Sequence, residues 1–524
     1  MKGGNSRMKT VNRGMDEVRS IQGFPYFVLR NEITNGYNNY ITELHKIKKS
    51  YIQYKNGSSF TKTRTLGDYV ASDLKYKKAK TLIDKEARFM FSQTPDVMIQ
   101  ARSTEQQEVD KAKQYQNLID SILNSTNFPG NLLKATKDCL IGRRVACLID
   151  FSEVNGIGIN FYNALQFYYE TEPNLNRITK FISFEEVTQS KSSSDRRILV
   201  NRYEETEPEV IMFYSILYDG SGNVMEELIP EKQIELKKIP VVIILNDGLL
   251  SDIGGISDID EIIDYEASYS SLANSDIDSD KQGMNPIRYV IDMNSKTTQN
   301  LSVAAGSFWE LKSEQNQNNV SPSIGTLAPQ LNHTESVKVS LDRIENAMYS
   351  QLDVPNISEE SLSGVITSGK TIEALYYPLM VRCDEKLKTW LPAIRKIIEF
   401  CIEISMLNSK LVSEIYEMPE PTEMKYDIVI VENYALLKDE TEEKNSDVTE
   451  INANVRSRKS YLKKWRSEEF KTDKQIDEEL MQIAYELNLF DTLSANTQVQ
   501  DMINDRGTQQ ALEGDLEGVE NGEV

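Results

Sequence analysis

Gly364, Gly369, Lys370 and Thr371 stand at the spacing GxxxxGK[ST], and the segment after them has helical periodicity. In a nucleotide-binding protein that arrangement cradles phosphates with backbone N–H groups, brings the lysine ammonium to the terminal phosphates and puts the threonine hydroxyl on magnesium. It also needs a buried strand running into the first glycine, because that strand holds the loop rigid at the edge of a parallel sheet. Residues 356–363, NISEESLS, occupy that place here and contain no apolar run. An acidic magnesium ligand should close a later apolar strand, and the run IVIVE offers Glu432 instead of aspartate. A repeated βαβ pattern is missing too. The motif therefore reads as a flexible loop, Ser363 to Ser368, with Ser368 or a neighbour capping the next helix and Gly364 and Gly369 supplying permissive backbone. A P-loop NTPase is the alternative reading of these residues.

Other catalytic chemistry has little to work with. The chain has two histidines, His45 and His333, and four cysteines, Cys139, Cys147, Cys383 and Cys401, far apart and without CxxC spacing. A zinc site or a Ser-His-Asp triad needs a constellation that so few residues can barely supply. The expectation is buried structural thiols, no catalytic residues, no metal and no cofactor.

The elements around these residues come from a chain of 524 residues, 39% hydrophobic, enough for several cores. No apolar run reaches the roughly 18–20 residues of a membrane span, and the polar start MKGGNSRMKT lacks the apolar stretch of a secretory signal. Synthesis in the cytoplasm follows. A net charge of -22 argues against a protein that wraps nucleic acid tightly, since such binding uses Lys and Arg to neutralise phosphates. It is compatible with an acidic channel through which DNA slides without sticking.

Along the chain, 73–91 is an amphipathic helix with Leu74, Ala79, Leu82, Ile83, Ala87 and Met90 on one side, and helices at about 105–123 and 132–141 follow. The pattern then turns to strands at 145–151, 156–162, 197–205 and 210–218, separated or followed by NG and DGSGN, which predicts an antiparallel meander. After the strand-like run Pro240 to Leu245, Ser257 and Asp260 form a capping pattern for a helix whose stripe is Ile259, Ile262, Ile263, Tyr269, Leu272 and Ile277. Its other positions are acidic: Asp258, Asp260, Glu261, Asp264, Glu266, Asp276, Asp278 and Asp280. Two strand-like runs, IRYVIDM at 287–293 and SFWELK at 307–312, precede the polar stretch 313–325 and a helix with Val337, Leu341, Ile344, Met348 and Leu352. The longest periodic segment runs from Ile372 to Cys401 and spans about 60 Å as a helix with its flanks, with kinks expected at Pro378 and Pro392. A strand at 426–434 and helices at about 443–454, 458–469 and 473–488 follow, and the acidic end 506–524 is expected to be disordered.

The order of these elements resembles the portal proteins of tailed bacteriophages. LIDKEARFMFSQTP looks like that family's N-terminal helix, and KDCLIGRRVACLIDFSEVNGIGINFYNALQFYYE resembles its passage from helix through glycine to strand and hairpin. IPVVIILNDGLLSDIGGISDIDEIIDYEASYSSLAN is similar to the run into the first stem helix, and SGVITSGKTIEALYYPLMVRCDEKL to the link from tunnel loop to tunnel helix; together they cover about residues 75–410. The resemblance implies an α+β portal fold: a mixed wing over 1–250, stem helices at 251–283 and 331–354, a β-containing clip at 284–330, a tunnel loop at 355–368, a kinked tunnel helix at 369–412, a return strand to the wing within 413–442 and a helical crown at 443–505.

It further implies a homo-oligomeric, dodecameric ring at one capsid vertex, with double-stranded DNA passing through, the terminase large subunit and a head-completion or adaptor protein docking on it, capsid and scaffolding proteins around it, and no membrane. In such a ring Asp258, Asp264, Asp276, Asp278 and Asp280 would form acidic rings facing DNA, or simply a solvated helix face. Ser361, Ser363, Val365, Thr367 and Lys370 would touch DNA from the tunnel loop, the lysine contacting phosphates without reading sequence. The clip strands, with Arg288, Tyr289, Phe308 and Trp309, are expected to pair between subunits and to meet the connector, Trp309 serving as an anchor there or as core of the clip. A packaging ATPase and a non-portal helical scaffold are the competing classes.

Overall fold

The computed structural model describes residues 37–58, 71–172, 177–188, 197–220, 222–246, 248–249, 252, 254–284, 287–291, 323–327, 334–357, 369–417, 426–434, 440–466, 469–470 and 474–486. The chain divides into a large unit, Met1–Ile366 with Lys370–Leu436, and a small one, Leu437–Val524 with Thr367–Gly369. Helices and antiparallel strands are mixed in the large unit, an α+β architecture.

Its centre is the strand β2, Arg144–Ser152, which lies between β3, Gly156–Asn163, and β9, Val241–Leu245. Val145 to Ile149 are all buried, and successive side chains leave the two faces of a strand alternately. Val145, Cys147 and Ile149 join a helical core; Ala146 and Leu148 join Phe167, Phe181, Tyr203 and Ile211 of a five-stranded sheet. That sheet runs in sequence order through β4, Phe167–Thr171, β5, Ile178–Thr188, β6, Arg197–Glu207, β7, Val210–Asp219, and β8, Val224–Ile234. The single meander expected from sequence is thus two packed antiparallel sheets. β8 was not foreseen because Pro230, three glutamates and a lysine sit in it, residues suited to an exposed edge strand.

Four helices precede β2 in the chain, and the last of them packs directly on it. α1 is Tyr37–Asn56, α2 Lys78–Phe91, α3 Gln106–Ser125 and α4 Phe128–Gly142. α4 begins earlier than its apolar run suggested because Pro129, lacking an N–H, sits in the first turn where no partner is needed. α2 begins later. Residues ahead of it are held out of the helix by the neighbouring one: Asn274 accepts from the Leu74 N–H at 2.8 Å and donates to the Leu74 carbonyl at 2.9 Å, and Asp278 accepts from the Ser72 N–H at 2.8 Å. Leu74 is consequently exposed instead of lying in the stripe. β1, Asp96–Ala101, pairs antiparallel with β12, Tyr426–Val431, so a late strand returns to the N-terminal half of the chain.

α5, Asp258–Met284, and α6, Thr334–Gln351, form a hairpin. Ile262 near the start of α5 and Met348 and Tyr349 near the end of α6 enter the same core, so the two helices run antiparallel. Between them in the chain, β10, Ile287–Ile291, pairs with β11, Ser323–Leu327. The expected partner at 307–312 lies outside the described residues, and the strand falls instead in a stretch read as loop, where Ile324, Thr326 and Leu327 give it β character. α7, Gly369–Leu407, is one helix of 39 residues that continues through both Pro378 and Pro392. The short α8, Ser409–Val412, follows. The small unit has α9, Glu440–Asn452, α10, Arg458–Trp465, and α11 at 474–486.

Candidate functional site

The chemistry that the described residues concentrate most densely lies where α2, α5 and α7 meet. On α2, the apolar positions Leu82, Ile83, Ala87 and Met90 are buried against α4 and α7, and Glu86 is carried in with them at 0% exposure. On α7, Lys386 lies in the stripe of Cys383, Leu387 and Trp390, all buried, with Arg382 one turn before it. Asp258 opens α5, where a carboxylate is favoured by the partial positive charge of a helix N-terminus.

Lys386 Nζ donates to both Glu86 Oε1 and Asp258 Oδ2. Arg382 Nε is 3.1 Å from Glu86 Oε1, and its Nη2 is 3.3 Å from Asp258 Oδ1 and 3.6 Å from Glu261. Asn246, just beyond β9, donates to Asp258 Oδ1 at 2.8 Å and to the Ile256 carbonyl at 2.8 Å. The carboxylates respond differently. Burial pushes Glu86 above the usual carboxylate range, and Lys386 offsets only part of that. Burial acts on Asp258 in the same direction, but Lys386 and Arg382 together outweigh it and hold the acid below its ordinary value. Burial opposes the charge on Lys386 as well, and the two acids more than reverse it.

Around this cluster the hairpin root is pinned to the helical layer. Arg143 binds Asp260 at 2.6 Å, Ser50 donates to the same carboxylate at 3.2 Å, and Lys78 binds Glu345 of α6 at 2.6 Å. Glu266 accepts from the Ala79 N–H at 3.1 Å and from Gln53. Ser257 does not cap α5 through its side chain: its hydroxyl donates to the Ile141 carbonyl at 2.7 Å and so ties α5 to α4.

The arrangement is a lock between helices and carries no nucleophile paired with a base. All four cysteines are free and buried, and burial raises each thiol, Cys401 to about 12. Among the described residues no group of His, Cys, Asp and Glu could hold a metal ion, and no helix is long and apolar enough to cross a membrane.

The residues singled out from sequence distribute unevenly. Ser361, Ser363, Val365 and Thr367 lie outside the described residues, as do Phe308 and Trp309. Lys370 is the second residue of α7, and residues 354–357, the last described before the GxxxxGKT motif, form no strand. Arg288 and Tyr289 sit in β10 opposite Thr326 and Gly325. Of the acidic positions on α5, Asp264 is exposed and Asp276, Asp278 and Asp280 are half-buried. Asp258 departs from the acidic face expected of it: it is 1% exposed and belongs to the buried cluster. Glu86, Arg382 and Lys386 were missed, although charges set inside the apolar stripes of two helices are the signal that marks buried pairs.

The family model described as phage portal protein, SPP1 Gp6-like, matches residues 30–488, nearly the whole chain. The chain belongs to the phage portal family. No curated protein matches it. The match includes the hairpin α5/α6, the helix α7 and the segment between them that holds the GxxxxGKT motif. A portal protein is a component of the virion capsid and belongs to a structural class of proteins, and the sealed ionic junction of this portal chain suits such a role: it fixes helices without exposing reactive groups.

Proposed function

We propose that the chain is the subunit of a closed ring, dodecameric in the virion, set at one capsid vertex and passing double-stranded DNA during packaging and ejection. The observation that carries this reading is the family match across nearly the whole chain, read together with the fold: an antiparallel hairpin with a small β pair between its helices, followed by a 39-residue helix. In this reading α5 and α6 are the stem, 284–330 the clip, 355–368 the tunnel loop and 443–505 the crown. Asp264, Asp276, Asp278 and Asp280 repeat around the axis as acidic rings that repel the DNA backbone and keep friction low, while Lys370 and the loop residues Ser361, Ser363, Val365 and Thr367 touch it. Asp258 serves instead in the buried cluster. Arg288, Tyr289, Phe308 and Trp309 mark the clip, where neighbouring subunits and the adaptor meet. The terminase large subunit docks on the same particle, capsid and scaffolding proteins surround it, and synthesis is in the host cytoplasm.

Sedimentation of the purified chain tests the reading. One closed oligomer, of the same size with and without ATP, is expected. A hexamer that forms only with nucleotide, or saturable ATP binding that Lys370→Ala abolishes, would replace it with the P-loop reading.

A further inference from the structure

Residues 374–381 of α7, ALYYPLMV, are eight consecutive residues without a charge in a chain that is 27% charged. A helical segment that is apolar all round is normally covered all round. In the single protomer only one side is. Leu379 is 1% exposed in the core and Tyr376 stacks on Phe89 at 5.7 Å. On the opposite side Ala374, Tyr377, Pro378 and Val381 stand at i, i+3, i+4 and i+7 and are exposed, Tyr377 by 59% and Val381 by 40%, with Leu375 beside them at 43%.

The rest of the helix supplies its own control. The same side continues through Glu385, Lys388, Pro392, Arg395, Lys396 and Glu399, all exposed and all but Pro392 charged. The outward face of α7 is thus an ordinary solvated one in its second part and an apolar one at its start.

We propose that this stripe is a subunit interface, covered by a second copy of the same chain. The inference rests on the ring reading and names the surface through which the ring closes. Two copies of net charge -22 repel, so their contact must be made where charge is absent, and 374–381 is such a place. DNA would select cations and a basic partner would select acids; neither is present on the stripe. A cyclic ring brings each face against a different face of the next subunit, so the stripe needs a complementary surface on its neighbour and not a matching stripe.

The test is Tyr377→Glu with Val381→Glu, compared with the unaltered chain by electron microscopy and circular dichroism. The expected result is loss of rings with helix content unchanged; rings as abundant as those of the unaltered chain would overturn the interface. Should the double variant not fold, a photoreactive phenylalanine analogue in place of Tyr377 gives the second reading. Adducts between two copies of the chain support the interface, and adducts confined within one chain, or to DNA alone, overturn it. If the unaltered chain forms no rings and position 377 gives no chain-to-chain adduct, the ring reading fails together with the interface; rings without that adduct sink the interface alone.

Discussion

The two units of the protein each gather charge around an acid, and they do it in opposite ways. In the large unit Glu86 and Asp258, 0% and 1% exposed, share Lys386 and Arg382 beneath a core that includes Leu82, Met90, Leu387 and Trp390. In the small unit Asp447 of α9 accepts from the Trp465 indole at 2.7 Å, from Lys464 at 3.0 Å and from Arg456, and these bonds, the indole foremost, hold it below the usual carboxylate range. Lys444 and Lys464 lie over the same indole ring at 4.9 and 4.7 Å. Only Leu462 and Ile476 are buried apolar side chains among the described residues there. The first cluster is sealed into packing that already fixes the helices; the second supplies much of what packing there is. Removing a partner from the sealed cluster leaves a bare charge in a poor solvent; Asp447 is itself 3% exposed, but its partners Arg456 and Lys464 are 27% and 33% exposed, so removing one of them leaves charge that lies nearer to water.

The largest effect is expected at Lys386. Lys386→Met leaves the two buried acids Glu86 and Asp258 with Arg382 alone and lowers stability by about 3–5 kcal/mol, measured by chemical unfolding of the full chain. A loss as small as that of an exposed pair would break the contrast between the two clusters.

Asp138 on α4 sharpens it, because burial is the leading influence there and pushes its pKa up to about 6 from 3.8, with the Tyr51 hydroxyl and Lys55 offsetting only part. A raised folded pKa means stability present in full below 3.8 and lost as pH rises through 6. Asp138→Asn should therefore match the unaltered chain near pH 4 and exceed it at pH 8, by at most roughly 3 kcal/mol and less to the extent that water reaches the group. Asp258 has the opposite sign: its depressed pKa contributes stability above the ordinary carboxylate range that is lost as pH falls below it.

Lys464→Met should have a smaller effect than either, a loss that should vanish in about 1 M salt, where screening acts over about 3 Å. A salt-independent loss would place that pair with the buried ones. Smallest of all is the response to thiol reagents at pH 8. With every thiol raised by burial, none should be modified until the chain unfolds. Prompt labelling of Cys383 would mean that the core beside Lys386 opens readily.

Much of this fold was legible as periodicity. The run 145–151 and the NG turn after it gave β2 and β3, and the three- and four-residue spacing from Ile372 gave α7. What periodicity missed was set by distant partners. Leu74 has helical spacing, but Asn274, 200 residues away, binds its backbone N–H and carbonyl outside the helix. Ser257 looks like a cap, but the Ile141 carbonyl claims its hydroxyl. Asp258 reads as one of eight acids on a helix until Lys386 is seen beside it. β8 carries Pro230 and so does not announce itself as a strand. At the GxxxxGKT motif the polar residues 356–363 argue against a phosphate site from sequence alone, and 358–368 lie outside the described residues.

The central claim is that this portal-family chain closes into a ring around DNA. End-on views of the purified protein by negative-stain electron microscopy test it most directly. The account predicts closed rings with a central hole wide enough for duplex DNA; open filaments would contradict it.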